Sequence, residues 1–299
     1  MIDYEEINLS EEQKREALLP TNDLLFKRIY GKEGSEKITE DFIKAFLGLD
    51  VTIEKLQDSK ALDINYIDKK AGVLDVLVTN KDGTKINLEM QVGNYTNVEE
   101  RFCFYGFELF TEQFQKGLQY NEAKKTIGVL ILKDDYSKYK GCEDYILSWK
   151  LREEKYHDLI LTDKLELCII SLEKIKKKVA LGEISDKDQI AIWTKFLLNP
   201  KELKEEDMNE NKEVKEAYDK YNEMIDDVEV RRAAFKRQLD IMEKHAAKQD
   251  GINEGKEEAQ KQIAKKLLDR GMSIDEIMEI TDLTKEEIED LKCWVDYKS

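Results

Sequence analysis

A strand–turn–strand pattern between residues 72 and 92 constrains the fold of this chain more than any other feature. Residues 72–78 are apolar and β-branched, residues 80–83 (Asn-Lys-Asp-Gly) have turn chemistry, and residues 85–92 form a second β-type run. Two such runs around a glycine-containing turn predict an antiparallel β-hairpin. The chain is therefore expected to build a sheet around this hairpin.

Further helices and strands are predicted on both sides of the hairpin. Apolar residues at helical spacing predict helices over 24–29, 36–47 and 97–120. The near-continuous apolar run 126–132 predicts a strand covered on both faces, and further strands are expected at 51–53, 145–149 and 165–170. This order predicts an α/β fold with helices packed around one mixed sheet.

The strand signals end near residue 173, which divides the chain into four segments. We expect an N-terminal helical arm at 1–19, an α/β core at 20–175, a helical acidic extension at 176–250, and a small helical unit at 251–299. The extension contains the stretch 202–230, which has twelve acidic and four basic residues. The last unit is predicted to form three short helices, with Ser273 and Thr284 as N-caps.

Composition excludes several classes of protein. The 65 acidic and 49 basic residues give a formal net charge of −16, so a generally basic nucleic-acid coat is excluded, and any contact with polyanions must be local or neutralised by metal. Two histidines and four cysteines without CxxC spacing argue against zinc chemistry. Unpaired thiols, a start unlike a signal peptide and no apolar run approaching ~20 residues predict a cytoplasmic protein without a membrane span.

Polar side chains in the predicted hairpin indicate chemistry. Asp75 interrupts the first apolar run, and Glu89 and Gln91 are separated by one residue in the second, so they project from the same face of a strand. If Asp75 lies across the hairpin on that face, two carboxylates and an amide converge. Buried carboxylates repel unless one is protonated or a cation lies between them, and an all-oxygen site suits Mg²⁺.

The order of these motifs resembles the PD-(D/E)XK phosphodiesterases, and in particular the Rpn family of recombination-promoting nucleases, also called PD-(D/E)XK family transposases. The matching residues are Asp23-Leu24-Leu25-Phe26-Lys27, Leu74-Asp75-Val76, Leu88-Glu89-Met90-Gln91, and Arg101, Tyr105, Gly117 and Tyr120 in the following helix. The resemblance covers about residues 20–175, and more loosely 250–291. It implies a restriction-endonuclease-like core with a helical C-terminal extension.

The resemblance also implies roles for individual residues. Asp75, Glu89 and the Met90 carbonyl would hold Mg²⁺, with Mn²⁺ as a second candidate ion, on a scissile phosphate. Gln91 stands where most of the wider superfamily has lysine; it can orient water or phosphate but supplies no cation. Asp23 would be an additional carboxylate of the site, and the candidates for DNA-backbone contacts are Lys27, Arg101 and Tyr105.

The expected function is a Mg²⁺-dependent DNA endonuclease linked to recombination or mobile elements, leaving 5′-phosphate and 3′-hydroxyl ends. The same chemistry would act on RNA. An alternative from another class is a catalytically silent protein that keeps the nuclease fold and binds a protein partner, or a second copy of itself, through its C-terminal helices. The charge of −16 favours that alternative.

Each candidate residue also has a structural interpretation. Asp75 could protect an edge strand from aggregation, while Glu89 and Gln91 could face solvent. Asp23 could be only a helix N-cap, and Arg101 and Tyr105, four residues apart, could contact each other. Asp63, between Leu62 and Ile64, is a second candidate for the position given to Asp75.

The C-terminal unit has the length and the glycine turn, at Gly271, of a helix-turn-helix. However, residues 285–290 place acids where a recognition helix needs neutral or basic side chains, so we favour a protein-interaction or self-association module. The segment 231–248 is the most basic stretch. It is expected either to contact DNA or, preferably, to pair with the preceding acidic helix.

Overall fold

A computed structural model describes residues 9–58, 74–93, 97–116 and 119–296 of the chain. Within them, the strands are β1 (Ile53–Asp58), β2 (Val76–Asn80), β3 (Lys85–Gln91), β4 (Thr126–Leu132), β5 (Ile146–Lys150) and β6 (Leu165–Ser171). The α-helices are α1 (Glu11–Ala17), α2 (Asp23–Tyr30), α3 (Glu36–Leu47), α4 (Val98–Thr111), α5 (Leu172–Ala180), α6 (Gln189–Leu198), α7 (Glu205–Glu210), α8 (Lys212–Asp226), α9 (Val228–Asp269), α10 (Ile274–Thr281) and α11 (Lys285–Asp296).

The strands form one mixed sheet in the order β1-β2-β3-β4-β6-β5. The strands β1, β2 and β3 are antiparallel neighbours, β3, β4 and β6 run parallel, and β5 closes the other edge antiparallel to β6. Parallel neighbours need long crossover connections, and α4 provides the one between β3 and β4. The predicted hairpin is therefore one arm of a larger α/β sheet, which confirms the expected fold class.

Helices cover both faces of the sheet. On one face, side chains of α2, α3, α5, α6 and α8 pack with alternate residues of β2, β3 and β4 into the main core. On the other face, Val98 and Phe102 of α4 pack on Leu130, Leu132 and Ile169. The strand β4 is buried along its whole length because it is central and covered twice.

Glycine lets α4 lie close to the sheet. A Cβ atom built on Gly128 of β4 would come within 2.8 Å of the Leu167 side chain and 3.1 Å of Phe102, and one on Gly106 of α4 would come within 2.7 Å of Leu167. These distances are shorter than carbon atoms tolerate without displacement. The close fit places α4 on the face of the sheet that carries Asn87, Glu89 and Gln91 of β3.

Several element boundaries differ from the sequence-based predictions. The first strand is Ile53–Asp58 rather than 51–53, and Asp75 lies in a bend immediately before β2 instead of inside the strand. The helix predicted over 97–120 ends at Thr111 and continues as a 3₁₀ turn over Glu112–Lys116. Residues 1–8, 72–73 and 117–118, with Gly117, lie outside the described residues. Boundaries are decided by packing and capping more than by apolar periodicity.

The chain divides into two compact units between Gln238 and Leu239, inside the segment assigned from sequence to the acidic extension. In the second unit, Ala264, Ile277, Leu283 and Ile288 form a small core. Ser273 caps α10 in a reciprocal capping box, and Thr284 and Glu287 exchange hydrogen bonds at the start of α11. Both predicted caps are confirmed, but the first predicted short helix is the end of the long helix α9.

Among the described residues, no helix combines the length and the apolar character that crossing a bilayer requires.

Candidate metal and active site

The register of the hairpin brings Asp75 and Glu89 together. Val76 pairs with Leu88 and Leu77 with Asn87, so the same register places Asp75 opposite Glu89 at the end of β2. The backbone amide of Asp75 donates to Glu89 Oε1 at 3.2 Å, and the amide of Met90 donates to Asp75 Oδ2 at 3.1 Å. The two carboxylates therefore meet across the hairpin, as the sequence predicts.

Electrostatics make Glu89 an unusual acid. Burial, followed by the charge of Asp75, raises the pKa of Glu89 to about 8, although a hydrogen bond from Asn87 Nδ2 at 2.9 Å acts in the opposite direction. Burial also raises the pKa of Asp75, and the charge of Lys27 offsets part of that effect. Two carboxylates that resist simultaneous ionisation form a site that a cation stabilises.

Lys27 of α2 provides positive charge at this pair. Its Nζ lies 2.9 Å from Asp75 Oδ1, and both side chains are largely buried, with 18% and 12% of their surface exposed. Burial lowers the pKa of Lys27, but the charge and hydrogen bond of Asp75 outweigh that effect and the pKa is raised. The structure thus brings Lys27, predicted from sequence as a DNA contact, directly onto the carboxylates.

Asp23, one turn before Lys27 on α2, is bound by Arg237 of α9. Arg237 Nε lies 3.1 Å from Oδ1 and 2.8 Å from Oδ2 of Asp23, and its Nη2 lies 2.6 Å from Oδ2. The N-cap of α2 is Asn22, whose side chain accepts a hydrogen bond from the Leu24 amide. Asp23 is the first residue of the helix. Arg237 therefore pairs with Asp23 at the start of α2.

Gln91 and Arg101 form a second contact on the same face of β3. Arg101 Nη2 donates to Gln91 Oε1 at 2.5 Å, and Gln91 Nε2 donates to the Gly93 carbonyl at 2.6 Å. Tyr105 lies one turn further along α4, and its pKa is raised by burial and then by the charge of Glu89. Both α4 residues thus face the strand that carries Glu89.

Asn87 and Arg237 were not singled out from the sequence. Asn87 precedes Glu89 by two residues on the same face, so strand alternation was the available signal. Its Oδ1 is buried and has no hydrogen-bond partner within the part of the chain that the structure describes. Arg237 carried no local signal, because its partner lies 214 residues away. Asp63, the alternative to Asp75, lies outside the described residues.

The donor atoms fit a hard divalent ion. Within the described residues, no cluster of three or more His, Cys, Asp or Glu side chains is placed to hold a metal. Asp75 and Glu89 nevertheless provide two adjacent carboxylates, and the backbone amide of Met90 donates a hydrogen bond to Asp75. Mg²⁺ is commonly held by one or two carboxylates together with water and substrate phosphates, and this donor set is of that kind.

Comparison with known proteins agrees with this geometry. Searches of curated proteins and of solved structures found no match. Residues 257–292 match the Rpn/YhgA-like nuclease family, C-terminal HTH domain. The sequence-based argument against a helix-turn-helix, which rested on the acids of α11, was wrong for the fold, whereas the protein-interaction or self-association role stays a prediction. Residues 20–251 match the PD-(D/E)XK nuclease family transposases, and the chain belongs to this family, as an Rpn-type nuclease-family protein.

Proposed function

We propose that this protein is a Mg²⁺-dependent DNA endonuclease that acts in recombination or in the movement of mobile elements. The observation that carries the proposal is the meeting of Asp75 and Glu89 across the hairpin, with the pKa of Glu89 raised to about 8. Two carboxylates held together where water is largely excluded repel each other, and a bound cation would relieve that repulsion. Family membership adds a reaction class, phosphodiester hydrolysis, to this geometry.

In this proposal, Asp75, Glu89 and the Met90 carbonyl hold the ion. A divalent ion, when bound there, activates water and offsets the charge that develops on the phosphate. Gln91 orients the attacking water or a phosphate oxygen through its amide, and Arg101 fixes the rotamer of that amide. Asn87 holds Glu89 in place through its Nδ2 group.

Positive and hydroxyl groups around the carboxylates would bind the DNA backbone. Lys27, Arg101 and Tyr105 come from α2 and α4 and converge on the end of the hairpin, where a phosphate must lie to reach the ion. The C-terminal unit adds a second contact with DNA through its helix-turn-helix fold. The three described cysteines, Cys103, Cys142 and Cys168, are free thiols, which agrees with a reducing cytoplasm.

Plasmid nicking tests the proposal. Purified protein should convert supercoiled DNA to nicked and linear forms with Mg²⁺, and EDTA, Asp75→Ala or Glu89→Ala should each abolish the activity. Glu166→Ala removes a carboxylate from β6 instead and should remain active. If every sample, including the EDTA control, behaves alike, the nuclease assignment is rejected and the silent protein-binding alternative replaces it. If the protein cleaves RNA but not DNA, the proposed substrate is RNA rather than DNA.

A further inference from the structure

The position of Lys27 is unusual for a residue whose task is only to grip DNA. Its ammonium group contacts Asp75 Oδ1 at 2.9 Å, and 18% of the side chain is exposed. Lysines that bind a nucleic-acid backbone generally extend into solvent, because a hydrated ammonium reaches phosphates with little loss of solvation. Lys27 instead satisfies one carboxylate of the candidate metal site.

The ammonium and a divalent ion need the same oxygen atoms. Asp75 Oδ2 already accepts the Met90 amide, and Oδ1 is the atom that Lys27 holds. A second cation next to the ammonium would also be repelled by it, since charges a few ångströms apart interact strongly where water is excluded. This repulsion favours displacement of the Lys27 ammonium from Asp75 when a divalent ion binds there.

A second carboxylate stands within reach of Lys27. Asp23 precedes it by four residues on α2, and residues at this spacing lie on the same face of a helix. Asp23 adds to the negative field at Lys27, and Arg237 fixes its carboxylate through two nitrogens. The Leu24 amide also donates to Asp23 Oδ1 at 2.9 Å. A carboxylate has about four acceptor positions, so with the Leu24 amide and two nitrogens of Arg237 as donors, one position remains for the Lys27 ammonium.

We propose that Lys27 is a resident counter-cation of the site, which holds Asp75 while no divalent ion is bound and turns to Asp23 when an ion takes Asp75. This inference rests on the proposed metal site of the nuclease. It gives Asp23 a different role from that of a metal ligand, and it gives Arg237 the task of holding Asp23 in position. Lys27 then lies beside the ion, where a DNA phosphate would enter.

Binding of Mn²⁺ alone, without DNA, tests the inference on the full chain by calorimetry or by the spin-resonance signal of the free ion. Lys27→Met should bind Mn²⁺ about tenfold more tightly than the wild type, because the competing charge is gone, while Lys27→Arg should stay within about threefold. Lys27→Gln repeats the test, so a folding defect in one variant does not hide the result. Lys125→Met is the matched control, since Lys125 pairs with Glu166 at 2.7 Å, and it should leave the affinity unchanged.

A double-mutant cycle separates the two roles of Asp23. Asp23→Asn should weaken Mn²⁺ binding about fivefold when Lys27 is present, and less than about twofold in the Lys27→Met background. Equal weakening in both backgrounds would make Asp23 a metal ligand and overturn the inference. So would unchanged affinity in both Lys27→Met and Lys27→Gln, provided that Asp75→Asn abolishes binding. If Asp75→Asn binds Mn²⁺ like the wild type, the proposed metal site itself is rejected.

Discussion

Two glutamates on the same sheet show how differently a carboxylate can be accommodated. Glu166 of β6 accepts a hydrogen bond from Ser148 at 2.8 Å and lies 2.7 Å from Lys125 and 3.6 Å from Lys150. Burial opposes its ionisation, but the hydrogen bonds from Lys125 and Ser148 prevail and its pKa is lowered. Glu89 of β3 receives hydrogen bonds from neutral groups and faces Asp75, so its pKa rises to about 8.

The two glutamates therefore differ in what surrounds them: cations in one case and a second carboxylate in the other. Lys125 and Lys150 balance the charge of Glu166, which thereby stabilises the β5–β6 edge of the sheet. The pair of Glu89 and Asp75 has Lys27 as a contacting cation for two carboxylates. Unequal satisfaction of similar side chains is the physical mark of a site prepared for a ligand.

The largest expected effect is on catalysis. Glu89→Gln should reduce Mg²⁺-dependent cleavage by about a thousandfold or more, because the variant loses a charged ligand for the ion. Glu166→Gln should change the rate by less than about twofold. Initial rates of plasmid nicking at saturating Mg²⁺ measure both. Similar losses in the two variants would remove the distinction between the glutamates.

Arg101 should have a smaller effect on the same reaction. Arg101→Met leaves Gln91 Oε1 without its donor, so kcat/KM for DNA cleavage should fall by about ten- to a hundredfold. Arg152 is a suitable control, because it is exposed and donates to the His157 carbonyl. Arg152→Met should retain full activity. If Arg101→Met also cleaves DNA at the wild-type rate, the contact between Arg101 and Gln91 is dispensable.

The pH dependence of stability should distinguish the glutamates in metal-free protein. The pKa of Glu89 rises on folding from an ordinary 4.5 to about 8, so the folded state binds more protons between these values. Stability from this group should therefore fall as pH increases through that window, by up to about 1.4 kcal/mol per pH unit. Urea titrations in EDTA at several pH values should show that slope in the wild type and lose it in Glu89→Gln.

Glu166 should show the opposite sign in a different window. Its pKa is lowered on folding, so its contribution is present above 4.5 and is lost as pH falls below that value. At neutral pH, Glu166→Gln should cost about 1–2 kcal/mol of unfolding free energy through the lost charged hydrogen bonds. Urea unfolding at pH 7 measures this. An unchanged midpoint would mean that the lysine pairs contribute nothing to the fold.

Prediction from sequence worked best where the determining interactions are local. The hairpin, the buried strand β4 and the caps at Ser273 and Thr284 follow from turn residues, alternation and capping chemistry. Prediction was poorer at element ends, as with the start of β2 after Asp75, because packing decides where pairing stops. The helix-turn-helix was rejected on charge, although its fold depends on apolar spacing and the turn.

The sequence by itself determined the hairpin and, through strand alternation, that Glu89 and Gln91 share one face, and the register in the structure places Asp75 opposite Glu89. It also determined the family, through motif order. The tertiary structure decided which charges surround the pair. Lys27 reaches Asp75 because α2 packs against the hairpin, and Arg237 reaches Asp23 across 214 residues because α9 packs against α2. Such contacts leave no local trace in sequence, since no periodicity or turn links residues so far apart.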